Sequence, residues 1–283
     1  MSVFFTLSGF LITSLLLAEH AEQRTISLRR FYSRRVRRLL PASYLCMALV
    51  LVATPWWSAV QRRRLPGDVL AALGNVYNWR AAWSSVSYRQ LFDSAPSPLA
   101  HFWSLSIEEQ CYLVLPLVTV VVLRRGGRRW LTAAAAGLLV ASLASALLTT
   151  DFDLGYNATF TRVGEVLAGM LLATLIRGRR VDGEWGDVVG LASLAILAVG
   201  IALLGLDDQW LARGGLLGVG VVSCGLIVGV LGNGPLASAF SWRPLVALGR
   251  VSYGVYLFHW PVFQLLTEQR TGLGRWPLLA VRA

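Results

Sequence analysis

HFWSLSIEEQCYLVLP, residues 101–116, sets two adjacent carboxylates, Glu108 and Glu109, at the mouth of an otherwise apolar segment of membrane length. An ionisable side chain is costly there; where one persists it faces protein or a water-filled cavity and usually serves a function. Two local readings are open. Ser106 followed three residues later by Glu109 has the form of a capping box starting a helix at Ile107. Glu109 would then satisfy backbone N–H groups, and Glu108 would favour the positive end of the helix dipole. A helix that starts before His101 instead puts His101, Ser104, Glu108 and Cys111 or Tyr112 on one face, at i, i+3, i+7 and i+10 or i+11, as a polar site. The two coexist if Glu109 caps while Glu108 faces the bundle.

The surroundings of that stretch decide the class. Of 283 residues, 55% are hydrophobic and 14% charged, with mean hydropathy +0.59. This is far from an ordinary soluble domain and reads as a polytopic membrane protein. The net charge of +11 comes from 26 Arg with no Lys. A chain so basic could bind nucleic acid, but its Arg cluster between apolar segments, as the positive-inside rule requires, so no nucleic-acid partner is expected. The absence of Lys beside abundant Ala, Gly, Val and Leu fits a GC-rich bacterial genome. Cys46, Cys111 and Cys224 lie in apolar stretches without paired spacing, so they read as packing residues, with no disulfide framework and no metal site.

Apolar runs cover residues 3–18, 39–58, 102–123, 130–148, 161–176, 188–206, 214–231 and 248–266. Each approaches the roughly 17–25 residues that cross a bilayer. That predicts an all-α bundle of about eight spans. Residues 65–83 are interrupted by Gly67, Asp68, Gly74, Asn75 and Asn78, and read as interfacial or re-entrant. The loops Arg24–Arg38, Arg124–Arg129, Arg177–Arg180 and Arg243–Arg250 then share one side and carry seven, four, three and two Arg, which makes that side cytoplasmic. Arg62, Arg63 and Arg64 fall on the other side. No secretory signal peptide is visible before residue 20. A first span that begins almost at Met1, on the outer side, is short, so a further segment is expected upstream.

Three more stretches carry polar residues into these runs. In RTISLRRFYSRRVRRLLP (24–41), Arg30, Arg34, Arg37 and Arg38 line one helical face, and Tyr32, Val36, Leu39 and Leu40 the other. This is either an anchor on anionic headgroups or a set of guanidinium forks for a phosphate-bearing donor. In RVGEVLAG (162–169), Arg162 and Glu165 sit at i, i+3 as a polar clamp or a substrate contact, with Gly164 and Gly169 allowing close helix approach. In RVSYGVYLFHWP (250–261), Ser252, Tyr256, His259 and Phe263 recur on one face. Pro261 has no N–H to give the carbonyl of Leu257, which leaves a free acceptor in the membrane.

Taken in order, FFTLSGFLIT (4–13), FYSRRVRRLLP (31–41), HFWSLSIEEQCYLVLP (101–116), RVGEVLAG (162–169) and SYGVYLFHWP (252–261) resemble the membrane acyltransferase-3 family over nearly the whole chain. The resemblance implies a single domain over 1–283, with about eight transmembrane helices here of about ten in the family. Its implied activity is transfer of an acyl group, typically acetyl, from cytoplasmic acyl-CoA to hydroxyls of envelope carbohydrate in a bacterial inner membrane. It also implies an upstream helix with a catalytic Arg and His, and a final helix after the HWP segment. Residues 1–283 are therefore expected to be a fragment that lacks the family's base and is inactive alone.

Carried onto this sequence, the resemblance makes Arg34, Arg35 and Arg38 donor-phosphate contacts. Glu108 and Glu109 become the polar centre, with His259 a third catalytic candidate. His101, Trp103, Ser104, Tyr112, Arg162, Glu165, Ser252 and Tyr256 become further polar residues of the bundle. The implied partners are acyl-CoA as co-substrate rather than a bound cofactor, a carbohydrate or lipid-linked glycan acceptor, and membrane lipids. Composition alone fits equally well a transporter or flippase for a lipid-linked glycan. A membrane partner derived from the enzyme by loss of its catalytic helix is a third reading.

Overall fold

The computed structural model describes residues 1–83, 96–178, 183–205 and 208–282, which are helical with no strand among them. Arg179 and Arg180 of the expected cytoplasmic loop, and Leu206 at the end of one apolar run, lie outside the described residues. In order the helices are α1 (Ser2–Gln23), α2 (Leu28–Val52), α3 (Ala59–Leu73), α4 (Tyr77–Trp83), α5 (Phe102–Leu148), α6 (Phe152–Asn157) and α7 (Thr159–Ile176). They continue as α8 (Glu184–Leu203), α9 (Leu216–Leu231), α10 (Pro235–Phe240), α11 (Arg243–Leu265), α12 (Glu268–Thr271) and α13 (Arg275–Arg282). Five of the described segments are long and apolar enough to cross a membrane: α1, α5, Phe152–Ile176, α8 and Leu211–Leu231. The apolar runs expected in α2 and α11 fall in helices but do not meet that criterion.

The expected loop at Arg124–Arg129 is a tighter feature. At 1.5 Å per residue the 47 residues of α5 would reach about 70 Å, more than twice a hydrocarbon core. The helix is broken at Gly127, whose φ of 69° and ψ of −166° belong to backbone that only glycine adopts readily. Three contacts with α7 show what the break does. Thr159 donates to Gln110 (2.5 Å), Arg128 donates to the carbonyl of Arg177 (3.0 Å), and Ser142 donates to the carbonyls of Phe160 (2.8 Å) and Thr161 (3.2 Å). The first half of α5 therefore runs parallel to α7 and the second half returns antiparallel to it. Gly127 is the reversal of a helical hairpin.

The chain forms two compact units, the first made of Met1–Leu28 and Ile107–Leu245, the second of Arg29–Ser106 and Val246–Ala283. In the first, α1 and α7 cross antiparallel with their backbones touching. A Cβ on Gly9 would lie 1.9 Å from the carbonyl oxygen of Val166, and one on Gly169 1.9 Å from that of Thr6. Only glycine at both positions permits this approach, the small-residue packing expected where lipid supplies no hydrophobic drive between helices. α9 packs on both helices, with Phe10, Ala173 and Ile227 in a shared apolar cluster, and α8 packs on α9. The outer face of α8 exposes Ile196, Val199 and Ile201, a surface suited to acyl chains.

In the second unit, α3 opens on a capping box, with Gln61 N–H donating to Ser58 Oγ (3.3 Å) and Ser58 N–H donating to Gln61 Oε1 (2.9 Å). The 65–83 stretch is not one span. It breaks between α3 and α4, where Asn75 takes φ 53°, and buried Asp68 of α3 pairs with Arg80 of α4 at 2.7 Å. The carbonyl of Leu257, left without its helical donor by Pro261, accepts from the Cys46 thiol at 3.3 Å. α2 departs from its expected two-faced pattern at Val36, which is exposed, whereas Phe31 and Leu39, eight residues apart, are buried.

Candidate functional site

The helix carrying Glu108 starts at Phe102, upstream of Ser106, so the capping-box reading is overturned. Ser106 lies in the helix interior and its Oγ accepts a tertiary hydrogen bond from the Tyr77 N–H at 3.1 Å. The alternative face then forms, but its members serve two separate clusters. Glu108 and Tyr112 belong to the first unit; His101 and Ser104 belong to the second.

In the first unit, Ser8 of α1 meets Glu108 and Tyr112 in a closed triangle. Ser8 Oγ donates to Glu108 Oε1 at 3.2 Å, Tyr112 Oη donates to Glu108 Oε2 at 3.0 Å, and the two hydroxyls lie 3.0 Å apart. Glu108 and Tyr112 are one helical turn apart, which lets both reach one partner on α1. Tyr112 is buried and Ser8, Glu108 and Glu109 are half-buried.

One turn into α7, Arg162 and Glu165 are each 1% exposed, with Arg162 Nε 3.0 Å from Glu165 Oε1. The guanidinium also lies over the Phe5 ring at 5.4 Å and the Tyr156 ring at 5.0 Å. Aromatic faces attract a cation most strongly where water is excluded, as it is here. Ser142 bonds the backbone beside the pair: its hydroxyl donates to the Phe160 carbonyl (2.8 Å) and accepts from the Gly164 N–H (2.9 Å), two groups one helical step apart on α7.

In the second unit, Tyr256 Oη donates to the His101 carbonyl at 3.0 Å and shares a 2.6 Å hydrogen bond with Ser104 Oγ. The His101 and His259 rings are 5.9 Å apart, His259 lies 5.3 Å from the Tyr256 ring, and Trp260 Nε1 donates to the Ser97 carbonyl at 2.9 Å. Burial, aided by His259, lowers the pKa of His101 to about 3, with the nearby Leu257 carbonyl acting in the opposite direction. The ring is therefore neutral at ordinary pH. Ser252 is not brought to this cluster; its hydroxyl donates to the Gly249 carbonyl within α11, at 2.9 Å. Trp103 is buried. On α2, Arg34 and Arg38 are exposed and Arg35 is half-buried.

Sequence reasoning missed Ser8, Phe5, Tyr156, Ser142 and Tyr253, the last of which shares a 2.6 Å hydrogen bond with Ser43. Ser8 had a signal of its own, a hydroxyl beside Gly9 inside an apolar run. Among the described residues no group of three or more His, Cys, Asp or Glu converges as a metal site.

A family model described as an acyltransferase domain, that of acyltransferase-3, matches residues 1–282. YrhL of Bacillus subtilis (strain 168) is 35% identical over 285 residues, covering 94% of this chain and 44% of its own. The peptidoglycan O-acetyltransferase OatA of Listeria monocytogenes is 33% identical over 280 residues, covering 94% and 44%. The O-acetyltransferase OatA of Staphylococcus aureus (strain NCTC 8325) is 32% identical over 274 residues, covering 92% and 45%. The chain thus spans less than half the length of these relatives. No solved structure matches it.

Proposed function

The chain belongs to the acyltransferase-3 family, and from that premise we propose that it is the membrane part of an enzyme that moves an acetyl group from cytoplasmic acyl-CoA to a hydroxyl of envelope carbohydrate. Two relatives are named as O-acetyltransferases, one of them of peptidoglycan, which supports a glycan acceptor. The membrane is the bacterial inner membrane, crossed by α2 and α11 as well as by the five segments that meet the spanning criterion. The observation that carries this reading is the Ser8–Tyr112–Glu108 triangle: a half-buried carboxylate held by two hydroxyls inside helices of membrane length.

In this reading the acceptor hydroxyl attacks the thioester carbonyl, and a carboxylate beside it accepts the hydroxyl proton as the C–O bond forms. Glu108 takes that role, with Glu109 next to it. Arg34, Arg35 and Arg38 hold the donor's phosphates, for which guanidinium forks are suited. Tyr256, His259 and His101 form the polar cluster of the second unit. Arg162 and Glu165 hold α7 against α1. The test is acetyl transfer from labelled acetyl-CoA to peptidoglycan fragments by the full-length protein in membranes. Glu108→Gln should lower the rate at least about 100-fold, within the range of acid–base assistance. Absence of transfer from any acyl-CoA, or movement of a lipid-linked glycan without acyl transfer, would overturn the proposal.

A further inference from the structure

One side of α3 is buried, through Gln61, Leu65, Asp68, Ala71 and Ala72, while Arg62, Arg63, Pro66, Leu70 and Leu73 are exposed. The exposed face changes character along its length. Arg62 and Leu73 are eleven residues apart and Arg63 and Leu70 seven, so each pair lies within about 20° on one side of the helix. The first half of the face is therefore cationic and the second apolar, with Leu70 70% and Leu73 47% exposed. The apolar part continues past the turn at Asn75 into exposed Val76 and Trp83, with the Trp79 ring beside Trp83 at 5.3 Å.

Residues 59–83 hold Arg62, Arg63, Arg64 and Arg80 against one acid, Asp68, and Asp68 is engaged by Arg80. Among the described residues neither Arg62 nor Arg63 meets an acidic side chain. The helix gives them no reason to be there either, since both lie toward its N-terminal, positive end and their Cα–Cβ bonds tilt that way. On the topology read from the sequence they fall on the outer side, where the positive-inside rule assigns them no role. Water does not suit a face that exposes Leu70, Leu73 and Trp83 together, and hydrocarbon does not suit its arginines. The boundary between the two suits both. At 1.5 Å per residue Arg63 and Leu70 are about 10 Å apart along the axis, and Arg62 and Leu73 about 16 Å. The headgroup layer of one leaflet is about 5–8 Å thick. A helix entering from the headgroups thus keeps its guanidinium groups at phosphate level while Leu70 and Leu73 reach the acyl chains.

We propose that Arg62 and Arg63 bind the phosphate of an anionic phospholipid whose acyl chains lie along Leu70 and Leu73. Guanidinium forks match phosphate oxygens, and the net negative charge of the headgroup separates such a lipid from a zwitterionic one. Half-buried Arg64 follows the pair on α3, and Arg80, held by Asp68 with its guanidinium over Gly67, adds a further positive charge on α4. The site stands whatever group the enzyme transfers.

The test uses the full-length protein in nanodiscs with phosphatidylglycerol that carries a photoreactive group in its acyl chain, present below saturation. Labelled residues are mapped by mass spectrometry of peptides, and the matching phosphatidylcholine is the neutral-headgroup control. Phosphatidylglycerol should label residues 70–73, and the double substitution Arg62→Gln with Arg63→Gln should cut that labelling about 30-fold, the equivalent of about 1 kcal/mol per Arg at an anionic surface. Both side chains are exposed, so the double variant should melt with the wild type. Equal labelling by the two lipids, or labelling unmoved by the double variant, would reduce the face to ordinary lipid contact and overturn the site. Absence of labelling at 70–73 would overturn it as well. If inorganic polyphosphate then bound the wild type and not the double variant, the face would belong to a soluble polyanion instead.

Discussion

Replacing Glu165 with Gln leaves the volume of the site almost unchanged and strips the buried guanidinium of Arg162 of its counter-charge. At 3.0 Å the pair attracts by about 5 kcal/mol at an effective dielectric near 20. Taking two ions out of water costs several kcal/mol each, so the intact pair contributes little net stability. Breaking it is another matter, because the surviving charge keeps its desolvation penalty: about 3–5 kcal/mol for a pair buried this deeply. The faces of Phe5 and Tyr156 recover part of that, about 1–2 kcal/mol, which places Glu165→Gln near 3 kcal/mol. With about 2–4 °C of Tm per kcal/mol in a domain of this size, the loss is about 6–12 °C, read by thermal unfolding of the detergent-purified protein. Arg162→Met should cost similarly, and Arg162→Met with Glu165→Leu should cost clearly less than the sum of the two singles, since the double removes both members of the pair together. A single variant that melts with the wild type, or a double that loses the sum of the two singles, would refute the reasoning.

Gly127→Ala should cost about 1–3 kcal/mol through backbone strain alone, because nothing lies within 4 Å of the added methyl. Gly9→Ala should cost at least as much through collision alone, since its Cβ would sit 1.9 Å from the Val166 oxygen; wild-type melting of either variant counts against the geometry described. His101 has its pKa lowered to about 3 by burial, so between that value and 6.5 the unfolded chain binds the extra proton. Stability is complete above pH 6.5 and falls as pH drops toward 3, by at most about 1.4 kcal/mol per unit, and His101→Phe should flatten that slope in melts taken across pH. Substituting Arg34, Arg35 and Arg38 together by Gln should raise KM for the acyl donor about 10- to 100-fold and leave that for the acceptor unmoved. An unchanged donor KM in a correctly inserted variant would return this helix to an anchoring role.

Much of the helical layout was legible because lipid imposes simple demands on a sequence. Each of the eight apolar runs overlaps a helix among the described residues, the interruption at 65–83 breaks as its Gly and Asn require, and the acceptor left by Pro261 is visible in the ring chemistry alone. The Arg162–Glu165 clamp was legible for the same reason, since two charges three residues apart in an apolar run have few other uses. The start of α5 was not. Ser106 and Glu109 satisfy the local pattern of a cap, and what overrides it is a bond from Tyr77, a partner 29 residues away. Ser8 was hidden for a similar reason: its meaning lies in two residues a hundred positions downstream. Spacing along one helix reports which residues share a face, and gives no register against another helix. Val36 marks a further limit, because amphipathic periodicity says which residues can be buried together and leaves open how far along α2 burial extends.

The hairpin that turns at Gly127 also bears on how the chain enters the bilayer during synthesis. Its tip holds Arg124, Arg125, Arg128 and Arg129, and carrying four such side chains past the membrane centre would cost on the order of 10 kcal/mol. Two apolar arms joined by so short a turn can insert together, leaving the tip on the side where the ribosome delivered it. On that route the orientation of α7 and the helices after it would follow from the insertion of this hairpin, and a lesion at the turn would act on the downstream half of the protein through its topology.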